Sequence, residues 1–177
     1  LQGALDVASW VLNLKPDSAQ ARMKSISVYH KLGDTKEVVK QSRELARLFI
    51  DLGQGDQSIE LLKSAQKVDP ENLDIGLELA EMYVSYGNIQ DGANQYRKVA
   101  NAFLEGGQLE RAAEAFRRMK VIAPDDASVL LKLGNLYVEL KRYNEAEQEY
   151  RSILRNDLNH EEALLSLGRV CQLKKQW

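Results

Sequence analysis

The strongest constraint on this chain is that it repeats itself. Its three prolines, Pro16, Pro70 and Pro124, are each 54 residues apart, and each lies in a short polar segment. Other turn and aromatic residues keep the same spacing: Tyr29 and Tyr83, Gly33 and Gly87, Phe49 and Phe103, and Gly53 and Gly107. A repeating unit of this size cannot bury its apolar face alone. The repetition therefore predicts elements that stack on their neighbours and share one continuous core.

Between the turn residues, apolar side chains recur at helical spacing. The helices predicted over the first 126 residues are 1–14, 19–32, 36–52, 56–68, 74–86, 89–105 and 108–122. In the second helix we expect Met23, Ile26 and Tyr29 to face the core. The helices 36–52 and 89–105 each stand in the middle of a three-helix unit, so they need apolar residues toward both neighbours.

The segment 127–160 has a shorter period of 34 residues and predicts two amphipathic helices. The core-facing residues are Leu130, Leu133, Gly134 and Tyr137 in the first helix, and Tyr143, Ala146, Tyr150 and Ile153 in the second. Lys141 and Arg142 form the turn. A second copy begins at Glu161, where Leu164, Leu167 and Gly168 are in register. Cys171 takes the place of Tyr137 there, so we expect a packed thiol.

This pattern resembles the tetratricopeptide repeat, whose signature is W-x2-L-G-x2-Y followed by A-x3-F and P. The residues that match are Leu133, Gly134, Tyr137, Ala146 and Tyr150. Two residues depart from the pattern, Leu130 in the Trp place and Leu158 in the Pro place. The resemblance implies an all-α, TPR-like α-solenoid of ten antiparallel helices in a right-handed superhelix. It also implies a protein–protein interaction module with a groove for a peptide or a helix of a partner.

We expect one repeat array over the whole chain. Its parts are a half repeat at 1–18, three-helix units at 19–72 and 73–126, a complete repeat at 127–160 and a truncated repeat at 161–177. Because the first residue is Leu1 and a repeat is already under way there, we expect a longer parent protein.

The resemblance also implies candidate binding residues, since in this family particular positions of the first helix of each repeat face the groove. The candidates are Leu131, Asn135, Val138, Glu139, Leu165 and Arg169. The core pattern does not require their apolar members, which favours binding. The alternative is that these apolar residues pack against neighbouring helices or against repeats outside this sequence. A clamp for a terminal carboxylate, known in the family, is disfavoured because Leu131 and Ser166 replace the Lys and Asn it needs.

Several other functions are disfavoured by the sequence. The net charge of −2 provides no basic field for nucleic acid, and no apolar run approaches the length of a membrane span. His160-Glu161-Glu162 lacks the second His of a zinc motif, and Gly87-x4-Gly92 lacks the Lys of a phosphate loop. We therefore expect no enzymatic activity, no metal and no cofactor. With one cysteine and no visible signal peptide, we expect a cytoplasmic location.

Two functional hypotheses remain. The first is a scaffold that binds a protein or peptide partner in its groove. The second is a structural spacer or oligomerisation arm of a larger protein. In addition, the open apolar face at the end of the array predicts self-association, with Leu173 and Trp177 as expected contacts.

Overall fold

The computed structural model of the protein describes residues 2–175, which fold into ten α-helices without any strand. The helices are α1 (Gln2–Leu14), α2 (Ala19–Leu32), α3 (Thr35–Asp51), α4 (Gly55–Val68), α5 (Leu73–Ser85), α6 (Ile89–Glu105), α7 (Leu109–Ile122), α8 (Ala127–Glu139), α9 (Tyr143–Asn156) and α10 (Glu161–Lys175). Each predicted helix is present to within one or two residues at its ends. The all-α, solenoid class predicted from the sequence is confirmed.

The turns follow from the residues that punctuate the sequence. Gly33 ends α2 with a φ of +74°, a left-handed conformation that glycine adopts without a Cβ clash. Asp34 then begins α3 by accepting a hydrogen bond from the backbone N–H of Glu37. At the matching turn between α8 and α9 the left-handed residue is Lys141, with a φ of +58°. Turns of two to four residues separate the helices, which is short enough for antiparallel pairing.

The helices form two compact units, residues 1–92 and 93–177, and the division falls within α6. In the first unit α1 to α5 pack in chain order, each against the next. Its core is built from buried aliphatic residues of α3, α4 and α5: Val39, Ala46, Ile59, Leu62, Ala65, Ile75 and Leu79. The Arg43 guanidinium also joins α3 to α5 through two hydrogen bonds to the Glu78 carboxylate.

The buried face of α2 differs in part from the prediction. Ile26 and Tyr29 are half-buried, but Met23 is 49% exposed, and the buried residues are Ala21, Ser25 and Val28. They lie on a helix that packs against both of its neighbours, α1 and α3. The hydroxyl of Ser25 is satisfied inside because it donates to the carbonyl oxygen of Ala21.

In the second unit α7, α8, α9 and α10 also pack in chain order. Of the residues predicted for the core of 127–160, all but Tyr143 are buried, among them Leu130 and Leu133 at 0% and Tyr150 at 1% exposure, while Tyr143 is half-buried. Gly134 makes room for the ring of Tyr150: a Cβ added there would lie 2.6 Å from Cε1 of the tyrosine. The small residue thus lets α8 and α9 approach with an aromatic ring between them.

The prediction of a packed thiol at Cys171 is wrong, because this cysteine is exposed. In α10 the residues buried toward α9 are Ala163 and Val170, while Leu164 is 48% exposed. In α8 the residues matching Leu164 and Cys171, which are Leu130 and Tyr137, are buried. α8 packs against a following helix, α9, whereas α10 is the last helix among residues 2–175, and its Leu164 and Cys171 are exposed there.

Candidate partner-binding site

A cavity of about 400 Å³ opens between α8, α9 and α10. Its lining consists of Asn135, Val138, Glu139, Tyr150, Ser166 and Arg169. Four of the six residues predicted from the sequence therefore lie around one space. These residues come together because α8 is buried on two of its faces. Its third face carries Asn135, Val138 and Glu139 and is turned toward the face of α10 that carries Ser166 and Arg169.

A hydrogen bond fixes one wall of the cavity. The hydroxyl of Tyr150 donates to Oδ1 of Asn135 at 2.6 Å. Burial raises the pKa of Tyr150, while a hydrogen bond from Ser166 and the charge of Arg169 oppose the increase. Because the Asn135 oxygen already accepts from a phenol that is held in place by packing, the amide offers a ligand two N–H donors and only one further lone pair.

The two charged residues of the lining are exposed and lack an ion-pair partner among residues 2–175. Arg169 presents a planar guanidinium with several N–H donors, which suits a carboxylate or a pair of carbonyl oxygens. Glu139 presents a carboxylate that can accept from an N–H or an ammonium group. With Val138 half-buried beside them, the cavity combines an apolar surface with a small number of directed polar groups.

The two leucines among the predicted site residues lie elsewhere. Leu131 is only 9% exposed and packs in the core of the second unit, as the alternative interpretation of these apolar positions anticipated. Leu165 is 76% exposed on α10, one turn before Arg169, but it does not line the cavity.

Two residues of the lining, Tyr150 and Ser166, are not predicted from the sequence as site residues. The sequence pattern places Tyr150 in the core, and its ring is buried, but its hydroxyl reaches the cavity wall. In the sequence, Ser166 is only a departure from the residue that a carboxylate clamp requires. One feature of the sequence could have identified Tyr150 as a lining residue: a tyrosine at a buried position needs a polar partner for its hydroxyl.

One ion pair joins α10 to α9 beside the cavity. Glu147 on α9 bonds Lys174 on α10 at 2.7 Å, and it also bonds Arg151 on its own helix at 2.8 Å. Chiefly because of the Lys174 contact, the pKa of Glu147 lies below its usual value. The Lys174 contact thus joins the C-terminal turn of α10 to α9.

Within the described part of the chain, no group of three or more His, Cys, Asp and Glu side chains is placed to hold a metal ion. No helix of residues 2–175 has the length and apolar character needed to cross a membrane.

The chain is built from successive antiparallel helix pairs. In the pair α8 and α9 a small residue packs against an aromatic ring, and a third face of α8 is exposed. These features define a helical-repeat protein. Residues 103–169 match the family model for the tetratricopeptide repeat. The resemblance to the tetratricopeptide repeat that the sequence pattern predicted is confirmed over these residues.

Comparisons with known proteins give relatives that are much longer than this chain. BBSome complex member BBS4 of Bos taurus is 24% identical over 143 residues, which cover 73% of this chain and 28% of the relative. DnaJ homolog subfamily C member 3 of Bos taurus is 22% identical over 175 residues, or 92% of this chain and 34% of the relative. The chain thus spans about a third of these proteins. Among solved structures, the crystal structure of MamA is 20% identical, covers 73% of this chain and 84% of that chain, and has a TM-score of 0.43.

Proposed function

We propose that this chain is a non-enzymatic scaffold that binds an extended or helical segment of a partner protein in the cavity between α8, α9 and α10. The observation that carries the proposal is that two polar groups lie together in this cavity. The Asn135 amide is aimed by Tyr150, and the Arg169 guanidinium has no ion-pair partner within residues 2–175. Since the repeats bury their own cores without these two groups, the groups are available to a ligand.

The chemistry of the cavity favours hydrogen-bond acceptors on the ligand. The oxygen of Asn135 is already used by the phenol of Tyr150, so the amide offers N–H donors, and Arg169 offers only donors. A segment with a side-chain carboxylate and a neighbouring apolar residue would satisfy these donors and contact Val138. Leu165, one turn away on α10, would extend the apolar contact. Glu139 would accept from a backbone N–H or a basic group of the same segment.

An assembly role agrees with the relatives. BBS4 is named as a member of the BBSome complex, and tetratricopeptide repeats generally mediate protein–protein interaction. Since this chain spans 28% of that relative, we extend to it only the general role of contacting another protein. The cytoplasmic location stays a prediction.

We expect Arg169→Ala to weaken binding of an acidic segment by about 1.5–3 kcal/mol, because hydrogen bonds to a charged group are lost. The probe is a ten-residue peptide of leucine, glutamate and serine, acetylated and C-terminally amidated, so that only side-chain carboxylates are offered. Isothermal titration calorimetry at low and high salt measures the affinity. The variant should also show a smaller salt dependence than the natural protein.

Asn135→Asp is the companion variant. The aspartate keeps an acceptor for the Tyr150 hydroxyl but removes the amide donor, so binding should weaken by at least about 0.5–1.5 kcal/mol while the free energy of unfolding changes little. A peptide with glutamine at every glutamate position is the matched control. Equal affinity for both peptides, or unchanged affinity in both folded variants, would exclude this cavity as the site.

The second candidate function, an oligomerisation arm, is favoured by one observation in the first unit. α1 exposes an apolar stripe of Val7, Trp10 and Leu14, with exposures of 62–63%. A stripe of this kind on the surface of a helix is typical of a contact with another protein. Of the contacts expected from the sequence, Leu173 is half-buried and Trp177 lies outside the described residues.

If α1 mediates self-association, Trp10→Ser should shift the protein toward the monomer. Sedimentation velocity over a hundredfold range of protein concentration measures this, with the exposed Val121→Ser, on α7, as the control for a general loss of surface hydrophobicity. A natural protein that stays monomeric throughout the range would rule out the oligomerisation arm.

A further inference from the structure

A row of basic side chains runs along one face of α3, in the first unit. Its members recur at helical spacing and are Lys36, Lys40, Arg43 and Arg47. They line a cavity of about 300 Å³ that reaches the turn between α4 and α5. The other lining residues are Val39, Glu44, Asp69 and Asn72. We call this cavity the α3 groove.

The α3 groove lies inside the array and not at one of its ends. α3 packs against α2 and α4, and the Arg43 guanidinium bonds the Glu78 carboxylate of α5. Since each repeat contacts only its neighbours, helices added before α1 or after α10 would pack against those terminal helices. The neighbours of α3 are therefore all described, and the groove is not the place of a further helix of the array.

The 54-residue repetition separates one structural cation of the row from the other three. Arg43 is matched by Arg97, and both arginines form an ion pair, with Glu78 of α5 and with Asp126 at the start of α8. The other basic residues are each matched by an amide: Lys36 by Gln90, Lys40 by Asn94 and Arg47 by Asn101. The repeat thus keeps a cation at one position of the row and forms without one at the other three.

These three cations are open to a ligand. The side chains of Lys40 and Arg47 are 60% and 67% exposed, and each lies at the edge of ion-pair distance from one carboxylate, Glu37 at 3.4 Å and Glu78 at 3.5 Å. Lys36 is exposed and has no ion-pair partner within residues 2–175. Because exposed pairs of this length contribute little, an incoming carboxylate can compete for all three cations.

Two carboxylates of the lining determine which kind of anion fits. Glu44 bonds Arg22 of α2, and Asp69 accepts a hydrogen bond from the amide of Asn72 at 3.2 Å. Their negative charge interrupts the positive row, so a continuous polyanion such as nucleic acid or an anionic membrane would meet like charge. Separate carboxylates placed opposite the three cations avoid these two residues.

We propose that the α3 groove binds an acidic segment of a partner protein whose carboxylates are spaced like Lys36, Lys40 and Arg47. The three cations span about 16 Å along the helix, at 1.5 Å for each residue. A partner helix with acidic residues four and seven positions apart presents carboxylates at the same intervals. The groove consists of residues of the first unit alone, so this proposal does not depend on the cavity between α8, α9 and α10.

The probe is an acetylated and amidated alanine-rich helical peptide with three glutamates, spaced by four and seven residues. The control peptide carries glutamine at the three positions. Titration into isotope-labelled protein at low salt should shift the amide resonances of Lys36, Lys40 and Arg47, and the control peptide should leave them in place. Arg169→Ala should not alter this binding, although it removes the cation of the other cavity, so the two proposals fail separately.

Two double variants with the same loss of charge test the position of the site. Lys36→Gln with Lys40→Gln should weaken binding about tenfold, because two ion pairs are lost. Lys15→Gln with Lys24→Gln removes two exposed lysines that do not line the groove, and should change the affinity less than about twofold. Equal weakening by both double variants, or equal binding of the two peptides, overturns the inference. Displacement of the peptide by a short DNA duplex or by anionic vesicles at equal charge concentration also overturns it, because the row would then be a general polyanion surface.

Discussion

Gly134→Leu should lower the free energy of unfolding by about 3 kcal/mol, the upper range for overpacking a closely packed core. A side chain at this position meets the ring of Tyr150, with the nearest ring atoms 2.6–3.1 Å from the added Cβ. The ring cannot move aside cheaply, because it is 1% exposed and its hydroxyl is bonded to Asn135. Urea unfolding followed by circular dichroism measures the change.

Gly168→Leu is the matched control, since it makes the same change at the same position of the next repeat. Nothing lies within 4 Å of a Cβ there, and leucine favours a helix over glycine. This variant should therefore be more stable than the natural protein by about 0.5–1 kcal/mol. Equal destabilisation by both substitutions would contradict the assignment of Gly134 as the contact that lets α8 and α9 pair around Tyr150.

Lys120→Met should also be strongly destabilising, by about 3 kcal/mol, the lower end for breaking a buried ion pair. Glu149 is 5% exposed, and both of its carboxylate oxygens accept hydrogen bonds from Nζ of Lys120, at 2.8 and 2.9 Å. Without the lysine a carboxylate is left buried and unpaired. The lower value applies because the Lys120 side chain itself is 36% exposed.

The control for this pair is Lys40→Met. Lys40 lies 3.4 Å from Glu37 on the surface of α3 and is 60% exposed, so its loss should cost less than about 0.5 kcal/mol. The double variant Lys120→Met with Glu149→Leu should recover most of the stability, because the buried charge is removed together with its partner. A double variant as unstable as Lys120→Met would show that the loss came from packing.

The positions of the helices could be predicted from the sequence because turn residues mark every boundary. Helix 89–105, the middle helix of a predicted three-helix unit, is continuous over those residues. The position of this helix in the sequence could be predicted because Phe103 and Gly107 repeat Phe49 and Gly53 at a fixed spacing. The division of the array into 54-residue and 34-residue units stays a prediction.

Which side of a helix is buried was harder to predict, because burial depends on neighbours that periodicity does not identify. Cys171 matches Tyr137 in sequence, yet Tyr137 is 4% exposed and Cys171 is exposed. In α2 the small Ala21 and Ser25 are buried, Met23 is 49% exposed, and the helix packs against both α1 and α3. In both cases the spacing of apolar residues does not identify which side of the helix meets a neighbouring helix.

The candidate site was predictable in part. Asn135, Val138, Glu139 and Arg169 follow from groove positions that recur with the repeat, and they line one cavity. The role of Tyr150 could not be inferred, because a core tyrosine and a cavity-lining tyrosine have the same spacing. Its bond to Asn135 alters the expected chemistry: an asparagine that can both donate and accept becomes one that offers mainly donors to a ligand.

The most direct test of the account is to map where an acidic segment binds. The isotope-labelled protein is titrated with the amidated leucine–glutamate–serine peptide while amide and side-chain resonances are followed. We predict saturable shifts for Asn135, Val138, Ser166 and Arg169, including the side-chain NH2 group of Asn135, and much smaller shifts with the glutamine peptide. Shifts confined to other surfaces, or the same response to both peptides, would contradict the proposal that this cavity binds an acidic segment of a partner.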